Sequence, residues 1–348
     1  MIPKKTFTSP LLHEGFSFIC KMKYTAFFGL LFLILQGCSH KATVMDRDSH
    51  NTDKSTVYSA IFYIHADSDY LFHDADGIAR QADEKALEST LKIAEEATRG
   101  EVFIIHQKPR RSFLWLIPRR NNDLYYFRNG SLQQQMKYRY DDASQSFLEK
   151  EAELYRHLSS ASHNSKQQRY FFYFGHEIPA ANGTGYHRSR PDTDVSFSTL
   201  TSGLEMFLDG EDDRFNLITL STCSNGSPLI ASHLLPVTNY LLTSPQNLHL
   251  SYMDVEGLLM LEDNPTAAPV EIARKIAMQS FQRLSDEVRT EVTLSVYDMS
   301  ELRYYLDDLT EIVNEHEKLN QPNMYRDNRD CAEIERFDLN AFIRGVET

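Results

Sequence analysis

The sequence is poor in cysteine and in positive charge, and it lacks any hydrophobic run long enough to anchor stably across a bilayer. Four cysteines (Cys20, Cys38, Cys223 and Cys331) in 348 residues do not make a disulfide scaffold, so a hydrophobic core must hold the fold together. An apolar content of 41% suffices for that, and the length fits one large domain or two small ones. Lys and Arg number 36 against 49 Asp and Glu, a net charge of −13. This argues against the basic surface that non-specific nucleic-acid binding requires.

The longest apolar run near the start, Tyr24–Leu35, is preceded by Lys21 and Lys23 and ends in Gln36-Gly37-Cys38. It resembles a bacterial lipoprotein signal, cleaved before Cys38, whose thiol would then carry the lipid. Residues 1–38 are therefore expected to be a signal peptide and lipobox, with Met22 a plausible true start. Removal of Lys4, Lys5, Lys21 and Lys23 would leave the processed chain more acidic still. Residues 39–56 are polar, of mixed charge and without periodicity, as in a flexible tether. The expected outcome is an acidic, well-hydrated body held at a membrane of the bacterial cell envelope by its N-terminal lipid.

Two later stretches share one design. In Arg214–Ala231, RFNLITLSTCSNGSPLIA, the β-forming run Phe215–Leu220 leads into Ser221-Thr222-Cys223, then into small and turn-forming residues and a short helical pattern. In Arg169–Ile178, RYFFYFGHEI, the aromatic run Tyr170–Phe174 is too apolar for a half-exposed strand and stops at Gly175-His176. A thiol at the carboxyl end of a buried strand lies where open α/β sheets place their sites. Backbone N–H groups at a following helix start would favour its thiolate. If the two strands are parallel neighbours, His176 and Cys223 share one sheet edge, and the chain between them is long enough for a helical crossover. A histidine about 50 residues before a nucleophilic cysteine is the caspase-type order.

The rest of the chain reads as alternating strands and helices. Val57–His65 is a strand, Gly77–Arg99 a helix with Ile78, Ala82, Ala86, Ile93 and Ala97 on its buried face, and Glu101–Ile105 a second buried strand. Ser112–Ile117 and Asp123–Phe127 suggest a hairpin. Asn129-Gly130 is a turn into a strand over Leu132–Tyr140. Helices are expected at Ser146–Leu158, Leu200–Leu208, Ala268–Leu284 and Ser300–His316, and strands at Asn239–Thr243 and Glu291–Tyr297. Ala180–Thr199 reads as a mobile loop beside the site. The fold class is α/β: a three-layer sandwich with a mostly parallel central sheet, helices on both faces, and a β-hairpin-rich insert at 108–140. The domain is expected over 57–317, followed by a polar extension at 318–348.

Four segments in order carry a family resemblance: VYSAIFYIHADSDY, FNLITLSTCSNGSPLIASHL, TNYLLTSPQNLHLSYMDVEGLL and TLSVYDMSELRYYLDDL. They resemble the opening strand, the nucleophile strand and helix, the following strand with its Ser-containing loop, and the late strand and helix of the clostripain family of caspase-like cysteine peptidases. The resemblance covers roughly residues 57–313. It implies His176 and Cys223 as the catalytic dyad, a peptide or protein as substrate, and no cofactor. Ser221, Ser244 and Asp254 fall where the family builds its substrate pocket. Two positions depart from the family pattern. Glu177 stands where a glycine usually follows the histidine and gives an oxyanion-binding N–H. Ser221 stands where an aspartate usually helps to read a basic residue. Asp254 can replace that acid or cap the next helix.

Two other classes compete. Glu177 and Ser221 suit a catalytically inactive lipoprotein of the same fold that binds a peptide or protein partner. The cluster His65, Asp67, Asp69, His73, Asp74 and Asp76 suits a metal-dependent hydrolase, although no known ligand spacing is matched. The reading adopted has no metal site and treats the cluster as a polar turn. His187 is the fallback partner for Cys223. A Cys223–Cys331 disulfide would remove the nucleophile.

Overall fold

The computed structural model describes residues 56–66, 71–73, 78–108, 112–113, 117–118, 122–140, 145–159, 167–187, 189–210, 212–248, 253–288 and 292–319. All lie in one unit, Lys54–Thr348; the other unit, Met1–Asp53, is outside the described residues. The expected signal peptide with Cys38, nearly all of the tether, and Cys331 are likewise outside them.

In chain order the strands are β1 (Tyr58–His65), β2 (Leu71–His73), β3 (Ala79–Gln81), β4 (Gly100–Gln107), β5 (Ser112–Phe113), β6 (Ile117–Pro118), β7 (Asn122–Arg128), β8 (Ser131–Tyr138), β9 (Gln168–Phe174), β10 (Leu217–Ser221), β11 (Tyr240–Thr243) and β12 (Ser295–Asp298). The helices are α1 (Ala82–Glu96), α2 (Glu149–Leu158), α3 (Phe197–Glu205), α4 (Pro228–Ser232), α5 (Met260–Asp263), α6 (Pro269–Arg283) and α7 (Met299–Leu319). Eight strands form one sheet in the order β12-β11-β10-β9-β1-β4-β7-β8. The inner run from β11 to β4 is parallel, whereas β12, β7 and β8 join antiparallel.

The alternation of side chains on the central strands builds two cores. Tyr58, Ala60, Phe62 and Ile64 of β1 face the same layer as Tyr170, Phe172 and Phe174 of β9, under α1 and α6. Ile61, Tyr63, Phe171 and Tyr173 face the other layer, under α2, α3 and the first turn of α7. Each residue of the aromatic run Tyr170–Phe174 is at most 2% exposed, as its composition required. Phe62 stacks on Phe172 with centroids 4.6 Å apart. The outer strand β8 has the opposite character. Its Gln133, Gln134, Gln135 and Lys137 are exposed, which discourages pairing with another chain at that edge.

Several boundaries differ from the sequence expectations. The first helix begins at Ala82, not Gly77, because Ala79–Gln81 pairs with Leu71–His73 as a small hairpin; Ile78 is consequently 52% exposed. The insert is not one hairpin. β5 pairs only with β6, while β7 joins the main sheet between β4 and β8. Asn129 and Gly130, with φ of 51° and 73°, form the turn between β7 and β8, as the Asn-Gly pair indicated. The helix expected from Ser146 starts at Glu149, whose carboxylate accepts the Ser146 N–H at 2.8 Å. The late strand is confined to Ser295–Asp298 and runs antiparallel.

Candidate active site

β9 and β10 are adjacent, parallel and in register, with Phe174 opposite Ser221. The Gly175 N–H then donates to the Ser221 carbonyl at 3.3 Å, and the two chains leave the sheet as Gly175-His176 and Thr222-Cys223. Both side chains are therefore introduced at neighbouring positions on one carboxyl-terminal sheet edge, and both residues are partly exposed. Glycine is required at 175, since a Cβ there would lie 2.7 Å from the Tyr173 ring. At the opposite end the strands are tied by Asn216, whose Oδ1 accepts the Arg169 N–H at 2.7 Å.

The turn that carries the thiol is fixed from its other side by the loop after β11. The Cys223 Sγ donates to the Leu248 carbonyl at 3.3 Å, and the Ser224 N–H to the Gln246 carbonyl at 2.9 Å. Ser224 has φ of 54°, an uncommon left-handed conformation for a residue with a side chain. A Cβ at Gly226 would lie 2.4 Å from the Pro245 nitrogen, and the Gly226 carbonyl accepts the Tyr297 hydroxyl at 2.5 Å. The expected support from a helix start is not immediate. The following helix begins at Pro228, and the Ser227 hydroxyl caps it by accepting the Ile230 N–H at 3.2 Å.

Asn225 was legible only as a turn former. It is fully buried, and its side chain grips the backbone of Ile178 in the histidine loop. Oδ1 accepts the Ile178 N–H at 2.9 Å, and Nδ2 donates to the Ile178 carbonyl at 3.0 Å. No local spacing signals this contact, because its partner lies 47 residues away in sequence.

The remaining expected residues separate into distinct environments. The His176 ring meets Tyr186 edge-on at 6.4 Å. His187 is fully buried, not solvated: the Arg190 N–H donates to its Nδ1 at 3.1 Å, and its ring lies 5.2 Å from that of His65. The segment read as a mobile loop folds back on itself. The Gly183 N–H donates to Asp194 at 2.7 Å, the Val195 N–H to the Gly183 carbonyl at 3.3 Å, and the Arg190 guanidinium sits 4.1 Å over the Tyr140 ring. His65 is 3% exposed and its Nδ1 is 2.7 Å from the Tyr173 hydroxyl. Asp67, Asp69, Asp74 and Asp76 lie outside the described residues, as does the His73 side chain. Among the described residues no group of three or more His, Cys, Asp or Glu is arranged to hold a metal ion.

Ser221 and Ser244 are both fully buried at strand ends. The Ser244 hydroxyl closes a local turn, accepting the Gln246 N–H at 3.1 Å and donating to its carbonyl at 3.0 Å. Asp254 does not cap the next helix, since Val255 holds the N-cap position and no side chain caps that turn. The Asp254 carboxylate accepts the Glu256 N–H at 3.2 Å at the start of a 3₁₀ turn and lies 3.8 Å from the Arg283 Nε. A cavity of about 610 Å³ is lined by Arg214, Tyr240, Asp298 and Arg303. It lies at the amino-terminal edge of β10 and β11, away from Cys223.

The model of the clostripain family matches residues 173–338, a segment that contains both His176 and Cys223. No curated protein matches the chain by sequence. Among solved structures, the chain is similar to an inactive zymogen C11 protease from Parabacteroides distasonis, with 14% identity and a TM-score of 0.50. The alignment covers 73% of this chain and 65% of that one. It is also similar to a secreted C11 cysteine protease from Bacteroides thetaiotaomicron, with 12% identity and a TM-score of 0.52 over 75% of this chain and 71% of that one. The sheet with helices on both faces is thus the caspase-like α/β fold that these solved structures share.

Proposed function

We propose that the chain is a cysteine endopeptidase in which Cys223 is the nucleophile and His176 its proton partner. The observation that carries this reading is the in-register, parallel pairing of β9 with β10, each strand running directly into one member of the pair. In the proposed reaction His176 takes the thiol proton of Cys223, and the sulfur attacks the peptide carbonyl and forms a tetrahedral oxyanion. The C–N bond then breaks as the imidazolium of His176 gives its proton to the leaving amine. Water, activated by the neutral imidazole, hydrolyses the thioester and returns the enzyme. In this reading the N–H of Glu177, the residue after His176, would stabilise the oxyanion. The test is labelling by a thiol-directed active-site probe, together with peptide cleavage, on wild type and on Cys223→Ala, His176→Ala and Cys331→Ala. Labelling lost in Cys331→Ala but kept in Cys223→Ala would sink the proposal. Absence of labelling and cleavage from every form would favour the inactive, partner-binding reading.

Specificity follows from where the acids are. Ser221 brings no charge, and the Asp254 carboxylate is engaged with Glu256 and Arg283. We therefore expect no strong preference for Arg or Lys on the acyl side of the cleaved bond, and a profile unchanged in Asp254→Ala. A peptide-library cleavage profile checks this; dominant cleavage after Arg or Lys would show that another acid serves the pocket.

The Lys21–Cys38 pattern supports a lipid anchor on the cell envelope. Metabolic labelling with a fatty acid should mark the wild-type chain, while Cys38→Ser remains an unlabelled precursor. Label retained in the variant would refute the anchor.

A further inference from the structure

We propose that Asn225 is the positioning residue that sets His176 against Cys223, an inference that rests on the dyad reading above. The strand ladder ends at Phe174 and Ser221. Beyond it neither segment continues as strand, and the cysteine turn is held from its other side by the loop after β11. The Asn225 clamp on Ile178 ties the histidine segment to the cysteine segment. Ile178 lies two residues after His176, and Asn225 two residues after Cys223. The short segments bearing the two reactive side chains are thus spanned between a backbone ladder on one side and a side-chain clamp on the other. Positional error in the pair is limited from both ends, as a preorganised site requires.

The chemistry explains the residue type. A carboxamide presents one acceptor and one donor side by side, which matches the N–H and C=O of a single peptide residue. Both Asn225 and Ile178 are buried, so water does not replace a lost partner. Aspartate is the informative substitution. A protonated carboxylic acid still accepts from the Ile178 N–H and donates to its carbonyl. The ionised form keeps the first bond but turns a negative oxygen towards the carbonyl.

The experiment measures the rate of iodoacetamide alkylation of Cys223 against pH in the full chain, for wild type, His176→Ala, Asn225→Ala, Asn225→Asp and the His176→Ala/Asn225→Ala pair, with Cys331→Ala as background. An imidazole-paired thiol reacts well below the pH of a simple thiol, whose reactivity rises through about pH 8.5. Asn225→Ala is expected to lose at least tenfold of the rate at pH 6.5 and to follow the simple-thiol profile. The double variant should show no further loss, since both changes remove the same coupling. Asn225→Asp should regain the wild-type rate ratio as pH is lowered and lose it as pH is raised. It also serves if Asn225→Ala fails to fold. A folded Asn225→Ala, or an Asn225→Asp, with the wild-type profile at every pH overturns the positioning role while leaving the dyad standing. A wild-type thiol that behaves like that of His176→Ala overturns the dyad and this inference together.

Discussion

Cys223→Ala should abolish probe labelling and lower kcat/KM by on the order of 10⁴-fold or more, the scale seen when a nucleophile is removed from a group that acts as a unit. The loss is so large because no other described side chain can replace the sulfur: Cys223 is the one free cysteine among the described residues. His176→Ala should fall less, by about 10²- to 10⁴-fold, the usual worth of a positioned acid–base group. The residue should retain weak turnover, since a thiol is somewhat nucleophilic unaided. Chelator should change neither rate. The measurement is kcat/KM on a peptide cleaved by the wild type, with labelling stoichiometry as the control for folding. If Cys223→Ala kept turnover within tenfold of wild type, the sulfur would have no covalent role, and the acidic cluster around His65 would become the place to look.

Phe172→Ala should produce the largest loss of stability. Phe172 is fully buried in the middle of β9, stacks on Phe62 at 4.6 Å, and has strands on both sides, so the site has little freedom to collapse. Truncation of such a phenylalanine costs about 3–5 kcal/mol. That is a large share of the roughly 5–15 kcal/mol by which domains are stable. The expected fall in Tm is roughly 10 °C, at about 2–4 °C per kcal/mol for a domain of this size. Urea denaturation measures the free energy, and a loss below about 1 kcal/mol would show that the aromatic layer is not the core. Because the ring packs in the core layer with α1 and α6, the thiol of the folded variant should still label.

The strands of the site were legible because their runs are almost wholly apolar. A half-exposed strand cannot carry Tyr170–Phe174, so burial on both faces, and with it a central place in the sheet, followed from composition. The Asn129-Gly130 turn was equally local, since few residue pairs accept two left-handed conformations. Helix starts were less legible. Ile78 has the right period for the buried face of α1, but pairing of β3 with β2 takes that segment out of the helix. His187 shows the same limit. Nothing in its neighbours distinguishes a solvated loop histidine from one buried against His65 and bonded to Arg190, because those contacts come from folding the loop back on itself.

Sequence alone determined the elements whose causes are local: the apolar runs of β9 and β10, the glycine and turn residues that end them, and the order of histidine before cysteine. Tertiary structure decided which strands lie side by side, that Asp254 accepts from the Glu256 N–H and pairs with Arg283, and that Asn225 reaches Ile178. The physical reason is the range of the interaction. Burial and backbone preference act on each residue and its near neighbours, whereas a side-chain amide or carboxylate acquires its role from whichever backbone the finished fold brings within about 3 Å.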